Sequence, residues 1–124
     1  MDTSVLIAYF RKKDKSRTLL RKLALEDHSL VLSVITEFEV FVGATEAQLG
    51  YWDQMLEHMD VLPLTSREVR LAATLQANLK RRRIQVAMPD LLIAATAMEA
   101  GLPVATLNKK HFEALPGIKL YPTT

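Results

Sequence analysis

The chain has 124 residues, a length that suits one domain with a real core and leaves little room for a second. Hydrophobic residues make up 49% and charged residues 24%, a globular balance, and the net charge of +2 neither demands nor forbids a nucleic-acid partner. Cysteine is absent, which excludes a disulfide framework, a thiolate zinc site and a cysteine nucleophile. With no apolar run of membrane-spanning length and no secretory leader pattern, the expected location is the cytoplasm.

In chain order, Asp2-Thr3-Ser4 is a polar triplet leading into apolar Val5-Leu6-Ile7. Residues 15–27 read as helix. Leu30-Val31-Leu32-Ser33 is a short apolar run with polar borders, the pattern of a buried parallel strand. Helices are expected over 36–48 and 50–59, then a second strand at Val61-Leu62-Pro63-Leu64, weakened by its proline. Thr65-Ser66-Arg67-Glu68 is a capping pattern, after which Val69, Ala72, Ala73, Leu75 and Leu79 separate an apolar from a polar face. Pro89-Asp90 starts a helix that is apolar nearly all round as far as Met98, with Gly101 and Pro103 as its stop signals. Pro103-Val104-Ala105-Thr106 and Ile118-Lys119-Leu120-Tyr121 read as a third strand and an edge strand. Strands alternating with helices predict an α/β domain over residues 1–124, with a parallel sheet covered on both faces. In such sheets ligands gather at the carboxyl ends of the strands.

Three acids fall beside those strand ends or at helix starts: Asp2, Glu39 and Asp90. If they converge, their mutual repulsion calls for a cation, and an oxygen-only set suits Mg²⁺ or Mn²⁺ and phosphodiester cleavage. His28, His58 and His111 are too scattered for a histidine-based metal motif. Each acid also has a purely structural reading. Thr36-x-x-Glu39 matches a capping box, Asp90 favours the positive end of its helix, and Asp2 can cap a turn.

Taken together the segments resemble the PIN domain, specifically the toxin nucleases of VapBC-type toxin–antitoxin pairs. Asp2-Thr3-Ser4-Val5-Leu6-Ile7 resembles that family's D-[TS]-[NS]-x-[LIV]-[IV] opening. The stretch from Ser33 through Thr36 and Glu39 to Gly43 resembles its S-x-x-T-x-x-E-x-x-x-G signature. Asp90-Leu91-Leu92-Ile93-Ala94-Ala95-Thr96-Ala97 is close to its D-x-x-I-A-A-x-A helix, the most specific match. Thr106, Asn108 and Phe112 stand at matching places in the closing segment. The resemblance implies a three-layer α/β/α fold with a parallel central sheet of about four to five strands. It also implies Mg²⁺- or Mn²⁺-dependent cleavage of RNA, homodimerisation and inhibition by a cognate antitoxin protein. Asp2 and Asp90 then bind the metal, Glu39 acts on it or through its water, and Thr3 or Ser4 orients Asp2.

Two departures from the family pattern stand out. Asn108 occupies the place of a fourth acid, with His111 where an aspartate often precedes the phenylalanine. Only Met1 precedes Asp2, so the first strand is expected to be nearly missing. Asn108 offers a carbonyl oxygen but no charge, which favours one tightly held ion over two. A second reading from another class follows from it: a catalytically inactive PIN module that binds RNA or a protein. A dehalogenase-like phosphatase would need a second aspartate where Ser4 stands.

Basic residues flank the acids in sequence at Arg11-Lys12-Lys13, Lys80-Arg81-Arg82-Arg83 and Lys109-Lys110. Arg83, Lys109 and Lys110 are candidates for attracting RNA phosphates, the alternative being solvated helix ends. Phe38 and Phe41 share a helical face that suits an antitoxin groove or dimer contact.

Overall fold

The computed structural model describes Asp2, Ser4, Val5, Thr18, Arg21 and residues 30–121. The expected helix over 15–27 and the site candidate Thr3 lie outside those residues, Thr18 and Arg21 apart. Strand β1 (Val31–Ser33) pairs in parallel with β2 (Asp60–Leu62), in the register Val31 to Asp60, Leu32 to Val61 and Ser33 to Leu62. Strand β2 stops one residue before Pro63, which has no N–H to give a ladder. The expected third and edge strands meet as a single parallel bridge between Val104 and Leu120. Val104 N–H donates to Lys119 O, and Tyr121 N–H to Val104 O, both at 2.8 Å.

The crossover from β1 to β2 is made by helices α1 (Val34–Gly43) and α2 (Glu46–Glu57). The sequence reading of one helix over 36–48 is corrected at both ends. Ser33 is the N-cap of α1, its hydroxyl accepting from Thr36 N–H at 3.2 Å, so the helix begins as soon as the strand ends. Thr45 then caps α2, its N–H bonded to Gln48 Oε1 at 3.0 Å, and the chain turns there.

Helix α3 (Ser66–Arg81) opens with the expected box: Thr65 N–H donates to Glu68 Oε2 at 2.9 Å. The Thr65 hydroxyl also donates to that carboxylate and holds it below the usual range of a glutamate. The helix ends with Ile84 N–H bonded to Leu79 O and Arg83 N–H to Lys80 O. That pair is the Schellman closure, and Arg83 takes its left-handed position with φ of 58°. Helix α4 (Met88–Glu99) ends the same way, through Leu102 to Ala97 and Gly101 to Met98, with Gly101 at φ of 69°. Here the left-handed residue is the glycine the sequence offered for it.

Two cores form. Leu75 and Leu79 of α3, Leu91, Ile93 and Ala94 of α4, Val104, Phe112 and Leu115 make one. Val5, Leu32, Val40, Trp52 and Leu56 make the other. Two apolar cores with a parallel sheet and helices are the requirement of an α/β/α layering. The apolar face of α3 was legible as a period; α4 has almost no polar face because it packs on all sides.

Candidate active site

Asp2 is 4% exposed, and its carboxylate is held from three directions. Oδ1 accepts from Ser4 N–H at 3.1 Å and from the Ser4 hydroxyl at 2.5 Å. Oδ2 accepts from the Thr106 hydroxyl at 2.6 Å. Each hydroxyl has one proton to give and lone pairs to receive with. Leu107 N–H donates to Ser4 Oγ at 3.0 Å and Asn108 N–H to Thr106 Oγ1 at 2.9 Å, so both are also braced from behind. The Asp2 backbone N–H donates to Ala105 O at 3.0 Å. Asp2 O in turn accepts from Val5 N–H at 3.3 Å. Asp2 thus caps the turn at Ser4 and Val5 while its carboxylate is also held from the far part of the chain by Thr106.

Replacing Thr106 by valine keeps the shape and removes the donor. A buried hydrogen bond to a charged group contributes roughly 1.5–3 kcal/mol. The expected loss for Thr106→Val is in that range by urea denaturation, because Asp2 loses one of its holds. A cost near zero would show that the bond contributes nothing.

Glu39 is partly buried in the middle of α1, too far from the helix start to close the expected capping box, which Ser33 replaces. Asp90 is the third residue of α4, where acids favour the helix's positive end. Its carboxyl lies above the usual aspartate range, chiefly because burial penalises the charge, and the charges of Asp2 and Glu39 push it further up. His111 opposes them: its Nδ1 lies 3.2 Å from Asp90 Oδ2. Three acids from distant parts of the chain therefore act on one another through space. Among the described residues, no three acidic or histidine side chains stand close enough to bind one ion together. Asp2 faces Ser4 and Thr106, and Asp90 faces His111.

Asn108 is exposed at the N-terminal side of the 3-10 turn Lys109–His111, and Lys109 and Lys110 are exposed within that turn. Arg83 is exposed as well, with a backbone role as the stop residue of α3. Its neighbour Arg82 donates to Ala114 O and clips the end of α3 to the C-terminal segment. A cavity of about 360 Å³ is apolar and bounded by Leu30, Leu32, Ile93, Val104 and Tyr121, not by the acids. Sequence reasoning missed His111 as a partner of Asp90. It tested histidines against one another along the chain, and nothing in that spacing reports a histidine-to-acid contact made in space.

A family model described as PIN domain matches residues 1–118. The chain belongs to the PIN-domain family. This PIN domain is 32% identical to Ribonuclease VapC1 of Methanocaldococcus jannaschii over 124 residues, 98% of the chain and 85% of that relative. It superposes on a chain of the DNA-bound VapBC structure from Salmonella typhimurium with a TM-score of 0.85 and 26% identity, covering 97% and 93% of the two chains. A chain of a toxin–antitoxin complex from Klebsiella pneumoniae gives a TM-score of 0.72 at 28% identity, covering 98% and 97%.

Proposed function

We propose that this PIN domain is a divalent-metal-dependent endoribonuclease and the toxin of a toxin–antitoxin pair. The observation that carries the reading is that one segment of a PIN-domain chain meets two distant acids, Thr106 holding Asp2 and His111 contacting Asp90. The names of its relatives, a ribonuclease and members of toxin–antitoxin complexes, support the same reading.

The donor set fits Mg²⁺ or Mn²⁺. The fit is one of donor chemistry: carboxylate oxygens are hard donors, and Mg²⁺ keeps several waters and needs only one or two carboxylates plus substrate phosphate, so it does not require three acids in one cluster. Asp2 and Asp90 would hold the ion, with Glu39 on it or on its water. Such an ion lowers the pKa of bound water and stabilises charge on the scissile phosphate. The residues of the chain do the rest. Glu39 accepts the proton of the attacking water, and Ser4 and Thr106 keep Asp2 in one orientation. Asn108, exposed before the turn that carries His111, adds an amide oxygen but no charge. Lys109, Lys110 and Arg83 draw the RNA backbone toward the acids. The partners on this reading are an RNA substrate, a cognate antitoxin protein and a second copy of the chain. Among the described residues no helix is long and apolar enough to cross a membrane. The proposed place of action is the cytoplasm.

The test is cleavage of a labelled RNA by the purified protein. Cleavage is expected with Mg²⁺ or Mn²⁺, is expected to fall to background in EDTA, and should return when Mn²⁺ is added back. Cleavage that persists in EDTA refutes the metal-dependent reading. Tight RNA binding with no cleavage under any metal favours the inactive RNA-binding module instead.

A further inference from the structure

We propose that His111 is a positioning residue for Asp90, holding one carboxylate oxygen so that the side chain keeps one rotation toward the acid cluster; this rests on the nuclease reading above. A carboxylate only accepts, so the Nδ1 atom 3.2 Å from Asp90 Oδ2 carries the proton. Oδ1 lies outside that contact. Asp90 is partly buried at the start of α4, and the imidazole reaches it there from a distant part of the chain.

The imidazole itself is exposed, but its backbone is fixed. His111 N–H donates to Asn108 O at 3.0 Å, and Phe112 N–H to Lys109 O at 3.0 Å. Phe112, the next residue, is fully buried in the core of α3 and α4. At the other end of the same short segment, Thr106 holds Asp2 and also receives Asn108 N–H. One stretch, residues 106–111, therefore grips both acids: Asp2 through a hydroxyl and Asp90 through an imidazole. It sets their separation the way a brace sets two posts. Partners of this kind, which touch a metal ligand and not the metal, typically change metal affinity by about 10- to 100-fold when removed.

The test is Mn²⁺ binding to the metal-free protein, read from the paramagnetic resonance signal of free Mn²⁺ and requiring no RNA. His111→Ala is expected to weaken Mn²⁺ binding by about 10- to 100-fold. His111→Asn, whose amide keeps an N–H near the position of Nδ1, is expected to recover most of that loss. Asp90→Asn, run in parallel, should abolish binding. An affinity for His111→Ala within twofold of the parent, or tighter than it, overturns the positioning role while leaving the nuclease reading intact. His111→Asn binding as poorly as His111→Ala also overturns it. Mn²⁺ binding that survives Asp90→Asn overturns both. Far-UV circular dichroism of each variant separates a lost fold from a lost hold.

Discussion

Asp90→Asn is expected to lower RNA cleavage by at least about 100-fold while making the metal-free protein melt at a higher temperature. The first effect follows from removing a charged oxygen from the place where the metal and the scissile phosphate would meet. The second follows from the raised pKa. The ordinary value of the group is 3.8, and in the folded protein it lies above that. A group whose folded pKa is raised favours the native state while it is protonated, and that contribution is lost as pH rises through the folded value. At pH above its folded pKa the ionised Asp90 therefore opposes folding, and asparagine relieves the opposition. As pH falls through the folded pKa and below 3.8, both states of the parent are protonated and the advantage of the variant disappears. Thermal melts of the two proteins across that range, in chelator, decide it. A variant less stable than its parent at pH above the folded pKa would contradict the account of Asp90.

Phe112→Ala should cost about 3–5 kcal/mol of stability, because a buried ring leaves both lost transfer energy and a cavity. Phe112 is 0% exposed and packs with Leu79 of α3, Leu91 of α4, Val104 and Leu115. A domain of this size is stable by only about 5–15 kcal/mol, so such a loss consumes much of the margin. The effect should also reach the site, since Phe112 anchors the turn that carries His111 and follows Asn108. Urea denaturation measures the first effect, and Mn²⁺ binding at low temperature, where the variant remains folded, measures the second. A cost below about 1 kcal/mol would mean that the surrounding side chains collapse into the space.

The helices and the buried strand at β1 were legible because they depend on local signals. Pro89-Asp90 and Gly101 bracket α4, and the run from Val31 to Ser33 is apolar with a polar edge. The start of α1 was misjudged because Ser33 and Thr36 both offer a hydroxyl, and both have a partner three residues on. The strand decided between them: Ser33 is the last extended residue, so its side chain faces the free N–H groups. The join between α1 and α2 was missed because the region is polar and helical on both sides. Only the capture of Thr45 N–H by Gln48 marks the break. His111 and Thr106 were invisible as site partners for a different reason. Their contacts to Asp90 and Asp2 are long-range, and a single sequence carries no sign of which distant acid a side chain will meet.

The bond between Thr106 and Asp2 spans 104 positions, nearly the full polypeptide, and this has a consequence during translation. Asp2 leaves the ribosome long before the residues that fasten it exist. A nascent chain therefore carries Asp2 with neither Thr106 nor Ala105 to hold it, and that carboxylate can take its folded setting only after residue 106 has been made.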